Sequence, residues 1–148
     1  MSQSSGTAAF LLVLTQTKKT QEKLALQVQK ADAFVQQENE QAKNLAIYLQ
    51  DYQHKIREQH HCSAPDLLRY RSFCGQLQNA LIQQEEKVSL AETHLAKLRQ
   101  SLMQQQHKIS VLQDLISKRE QEIDAADEKK LQKNIDELST RTHFSHHE

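Results

Sequence analysis

At 148 residues, with 19 basic and 19 acidic side chains, zero formal net charge and only 5% aromatics, the chain is one modest structural unit. Two glycines, one proline and no tryptophan argue against β-sandwiches, doubly wound sheets and disulfide scaffolds, whose many turns draw on Gly, Pro, Asn and Asp. Balanced, interspersed charge argues against a phosphate-neutralising face and so against nucleic-acid binding, while 22 glutamines join Ala, Leu, Lys and Glu as good helix formers.

The first apolar stretch, 8–14, is far shorter than the roughly 20 residues of a membrane span. Serines precede it and Thr15, Gln16, Thr17 and two lysines follow, so it lacks the basic flank and cleavage site of a secretory signal. A soluble protein without membrane insertion is expected. No Gly or Pro occurs between Thr7 and Ala64, which predicts a first helix over about 7–59. The break falls at Pro65: a turn covers about 60–63, with Ser63 as N-cap and Asp66 three residues on, in the manner of a capping box. A second helix then runs over about 64–140, and 142–148 reads as a disordered tail.

Along the first helix, alternating steps of four and three connect Phe10, Leu14, Thr17, Gln21, Leu24 and Val28, then Ala31, Val35, Glu38, Ala42, Leu45, Leu49, Tyr52 and Ile56. The second helix answers with Tyr70, Phe73, Leu77, Ala80, Gln84, Val88 and Ala91, then Leu95, Leu98, Leu102, Gln105, Ile109, Leu112 and Ile116. A seam sustained over several heptads across a short connection predicts an all-α, antiparallel two-helix coiled-coil hairpin. Folding at the turn pairs positions whose numbers add to 125 or 126, such as Ile56 with Tyr70 and Phe10 with Ile116. Gln21 then faces Gln105, a polar layer able to set register. Ala42 with Gln84 and Glu38 with Val88 match less well, marking the middle as looser.

Beyond Ile116 this pairing leaves a C-terminal overhang of about 25 residues, about 37 Å of helix. It carries Ile123, Leu131, Ile135 and Leu138, an apolar stripe that calls for an external partner, with a second copy or fraying as alternatives. Leu11, Leu12 and Val13 widen the apolar surface beside Phe10, so this end also reads as a docking region. Tyr48 and Gln41 sit off the seam, where Tyr48 acts as a binding anchor or lies along its own helix.

His60, His61 and Cys62 are zinc-capable residue types near His54 and Cys74, but about two and a half helical turns separate the cysteines. No metal, cofactor or disulfide is expected, and two cysteines fit a reducing, cytoplasmic setting. His143, His146 and His147 read as solvated tail residues. Two isolated glycines build no phosphate loop, and a two-helix hairpin offers no concave pocket, so enzymatic activity is not expected.

Three segments together, LAIYLQDY at 45–52, YRSFCGQLQNA at 70–80 and EKKLQKNIDELSTR at 128–141, resemble the FliJ family, the coiled-coil component of the bacterial flagellar type III export apparatus. The resemblance implies a cytoplasmic, stalk-like protein, peripheral to the inner membrane at the flagellar base. It would bind the export ATPase FliI and its regulator FliH, touch the export gate protein FlhA, and escort export chaperones. It maps gate contacts onto Gln41, Leu45, Tyr48, Tyr52, Phe73, Leu77, Ala80 and Gln84. The ATPase contact would fall on Phe10, Leu11, Leu12 and Val13 with Ile123, Leu131, Ile135 and Leu138. The seam turns Leu45, Tyr52, Phe73, Leu77 and Ala80 toward the core, leaving Gln41 and Tyr48 as the cleaner gate contacts. The residues also admit a structural or adaptor coiled coil, or the stalk protein of a virulence secretion system.

Overall fold

The computed structural model describes the backbone of residues 2–58 and 63–145, and the side chains of 6–58 and 63–143. Two helices account for almost all of it, α1 (Ser2–Glu58, 57 residues) and α2 (Ala64–Ser145, 82 residues). No proline and no positive φ interrupts α1, and Lys55 and Arg57 in its last turn complement the negative end of the helix dipole. At the start of α2 the backbone N–H of Asp66 donates to Ser63 Oγ at 3.4 Å and that of Leu67 to the Ser63 carbonyl at 3.1 Å, the N-cap expected from the sequence. Pro65 sits in the first turn, where a missing N–H costs nothing. His60, His61, Cys62 and the turn assigned to them lie outside the described residues. The two helices pack as a hairpin, and every seam position named above is buried or half-buried.

The chain divides into two compact units, 23–102, and 1–22 with 103–148. In the first unit, Val35, Ala91 and Leu95 form the centre, 6–7% exposed, with Val28 and Ala31 packed against them. One layer away Gln84 is 7% exposed, and its amide donates to the Glu38 carbonyl at 3.0 Å and to Glu38 Oε2. Constant-sum pairing sets Gln84 opposite Ala42 and Glu38 opposite Val88, and the Gln84 amide bonds across these layers to Glu38. The α2 seam takes two successive steps of four through Ala80, Gln84 and Val88, and a long amide at that point reaches diagonally to the partner helix. The middle is therefore a bonded polar layer instead of a loose stretch. Arg99 and Asp32 also pair across the helices at 3.5 Å, but both are largely exposed and the pair adds little.

In the second unit, Ile109, Leu112 and Ile116 are 7–8% exposed and Thr17 only 4%. A hydroxyl is tolerable there because Thr17 Oγ1 donates to the Val13 carbonyl at 2.7 Å within its own helix. Gln21 and Gln105 are both half-buried, yet no hydrogen bond joins them among the described residues, so the register-setting amide is Gln84. Since α1 starts at Ser2, pairing continues past Phe10. Gly6 meets Arg119, whose guanidinium lies 5.6 Å from the Phe10 ring centroid, and Ile123 becomes half-buried. The exposed end of α2 thus begins near residue 124 and not at 117, and every described side chain from 124 to 143 is exposed. Residues 142–145, expected in a disordered tail, are helical. No Gly or Pro breaks the helix there, and Thr140 and Thr142 each donate to the carbonyl four residues back.

Among the described residues no side chain is fully enclosed, because a seam between two helices is covered from only one direction. Packing defects should therefore be cushioned by partial solvent access: Leu95→Ala is expected to cost about 2 kcal/mol, the low end for a large-to-small change. Removing the Gln84 amide should cost about 1–3 kcal/mol, since it strands the Glu38 carboxylate. Urea denaturation of single and double Glu38 and Gln84 variants, followed by circular dichroism, should give less loss in the double variant than the sum of the singles.

Candidate partner-binding surfaces

In the 23–102 unit, the heptad that buries Leu45 and Leu49 turns Gln41, Asn44 and Tyr48 outward, because positions three and four apart share a helix face. Gln41, Asn44, Leu45 and Tyr48 line a shallow open groove of about 400 Å³. Tyr48 is 55% exposed, yet its ring rests edge-on against Phe73 at 6.5 Å between centroids. Phe73 meets Tyr52 at 4.7 Å, and Tyr52 meets Tyr70 at 5.7 Å, all in edge-to-face geometry. The groove's aromatic wall is therefore held from behind by half-buried rings. Leu77 and Ala80 are half-buried along the same seam, and Gln84 is buried with its amide engaged by Glu38. Of the eight gate-type residues the resemblance marks, Gln41 and Tyr48 are exposed, Leu45 is half-buried in the groove, Phe73 and Tyr52 back the Tyr48 ring, and Leu77, Ala80 and Gln84 lie in the seam.

In the other unit, Leu11, Leu12 and Val13 are 46%, 61% and 38% exposed. Phe10 is half-buried under Arg119 and lines a groove of about 250 Å³ with Leu115, Lys118 and Glu122. Leu131, Ile135 and Leu138 stand 50–62% exposed at the spacing i, i+4, i+7, one continuous ridge, while Ile123 is drawn into the hairpin. Sequence reasoning missed Asn44, which completes the Tyr48 groove, and Phe34 and Leu90, which are 51% and 72% exposed. Stepping back by heptads from Tyr48 through Gln41 reaches Phe34, a signal present in the sequence.

Among the described residues no three His, Cys, Asp or Glu side chains converge as a metal site, and no helix is long and apolar enough to cross a membrane. An all-α helical hairpin with open lateral grooves and an unpartnered apolar ridge is the class of protein these features define. The family model of the flagellar FliJ protein matches residues 7–148, nearly the whole chain, and the chain belongs to that family. It is accordingly a component of the flagellar protein export apparatus. No curated protein and no solved structure matches it.

Partial desolvation in the aromatic cluster holds the Tyr52 hydroxyl above its ordinary pKa of 10.0, with further contributions from Tyr70, Cys74 and Tyr48. The folded state thus favours neutral Tyr52. That contribution is present below pH 10.0 and is lost as pH rises through the higher folded value. Urea midpoints measured from about pH 8 to pH 11 should fall at the alkaline end, and Tyr52→Phe should flatten the fall; an unchanged slope would remove this role for Tyr52.

Proposed function

We propose that the chain is a stalk-like link between the export ATPase ring and the export gate, one surface engaging each. The observation that carries this reading is the exposed stripe of Leu131, Ile135 and Leu138 on a stretch of α2 where these side chains are left open among the described residues. Water favours covering such a ridge, and the cover that the resemblance to the FliJ family suggests is the ATPase FliI with its regulator FliH. Leu11, Leu12 and Val13, in the same unit, supply a second apolar strip for that contact. The groove formed by Gln41, Asn44, Leu45 and Tyr48 is the surface for the gate protein FlhA. Tyr48 is the anchor there: a wide, rigid ring held by Phe73 loses little conformational freedom on binding. Such a protein works in the cytoplasm, held peripherally at the inner membrane beneath the flagellum, and is placed to receive export chaperones there.

Two variants separate the surfaces. Replacing Leu131, Ile135 and Leu138 with Ser removes about 1 kcal/mol of half-exposed apolar surface at each position, so stimulation of FliI ATPase activity should need roughly 100-fold more protein. Tyr48→Ala should leave that stimulation intact and weaken binding to the cytoplasmic part of FlhA. Full stimulation by the triple-Ser variant would sink the ATPase contact, and unchanged FlhA binding by Tyr48→Ala would sink the gate contact.

A further inference from the structure

A second groove lies in the 23–102 unit, of about 460 Å³, lined by Gln27, Lys30, Ala31 and Phe34 of α1 with His94 and Leu98 of α2. Phe34, Gln41 and Tyr48 are separated by whole heptads, so the two grooves share one lateral edge of α1, with their aromatic rings about 21 Å apart along the axis. Leu90, at 72% the most exposed large apolar residue among the described residues, lies one heptad before Lys97, which neighbours the seam residue Leu98 that lines the Phe34 groove.

Charge lining the Phe34 groove has one sign. Lys30 and His94 line the groove, Lys87 lies one heptad before His94, and Lys97 lies beside Leu98, all exposed. The carboxylate of Glu38 is already engaged by the Gln84 amide. Acids gather on the other edge, marked by the Asp32–Arg99 pair, where heptad steps back from Arg99 reach Glu92 and Glu85. An aromatic anchor at heptad spacing, with Lys30, Lys87 and Lys97 around its groove, forms the receiving half of a helix-in-groove contact.

We propose that this edge binds an amphipathic helix of another protein, one with apolar residues a heptad apart and acidic residues on its flanks. The spacing sets the helical form of the ligand, and Lys30, Lys87 and Lys97 set the sign of its flanks. The proposal is independent of which protein uses the Tyr48 groove, because it rests on Phe34 and on the lysines of α2.

The test uses the full chain and two labelled synthetic helical peptides of about 21 residues, identical in their heptad leucines and differing in Glu or Lys flanks. Fluorescence anisotropy should show the Glu-flanked peptide binding at least ~10-fold tighter than its twin, with Phe34→Ser weakening it by a similar factor. The double variant Lys87→Glu with Lys97→Glu should reverse the preference in favour of the Lys-flanked peptide. All three substituted positions are exposed, and unchanged thermal unfolding by circular dichroism checks that each variant is folded. Equal binding of the twins, no binding by either, or indifference to Phe34→Ser would overturn the proposal. So would a concentration-dependent dimer that Phe34→Ser disperses, since the edge would then be covered by a second copy of the chain.

Discussion

Two helices touching along a single line can hide only what lies on that line. Everything else about this protein follows from how little that is. The heptad seam commits its apolar side chains to one contact, and even the best covered of them, Leu95, keeps 6% of its surface accessible. With so thin a core, stability has to accumulate along the seam, layer after layer, and no local cluster can supply it alone. The same geometry gives the protein an unusually large side surface for its length, and it is that surface, not an enclosed cavity, on which recognition can be written.

A repetitive seam has a weakness that a globular core lacks: neighbouring registers bury nearly the same side chains. The Gln84–Glu38 layer breaks that degeneracy. A slip of one heptad would place the Gln84 amide and the Glu38 carboxylate opposite apolar groups, leaving both partly desolvated and unpaired. The aromatic set of Tyr48, Tyr52, Tyr70 and Phe73 acts in a complementary way near the start of α2, where edge-to-face rings fit one alignment and resist others. Both devices lie in the unit that carries the two lateral grooves, so the groove-lining residues of α1 and α2 stay in a fixed relation.

Most of the fold was legible in the residues because its cause is periodic. Apolar spacing named the seam, and Ser63 with Pro65 named the start of α2. What escaped were effects that periodicity does not encode. Constant-sum pairing treats each residue as meeting one opposite number, whereas Gln84 is long enough to reach diagonally to Glu38. Gly6 reads as a helix breaker, yet α1 runs through it, and the missing side chain leaves room for the Arg119 guanidinium beside Phe10. In the candidate surfaces, Tyr48 and Gln41 were visible as residues off the seam. Phe34 lies outside the seam pattern, which marks the buried face, although the same seven-residue step links it to Gln41 and Tyr48.

The unequal lengths of α1 and α2 have a further thermodynamic meaning. An isolated helix of about 20 residues must overcome the unfavourable first turn before each added residue becomes worthwhile, and in water it is only marginally populated. The segment from 124 to 143 faces no such step, because α2 enters it already wound by its pairing with α1. Propagation alone extends it. A protein that grips Leu131, Ile135 and Leu138 meets a helix that is already formed, so little of the interaction energy is consumed in ordering the chain.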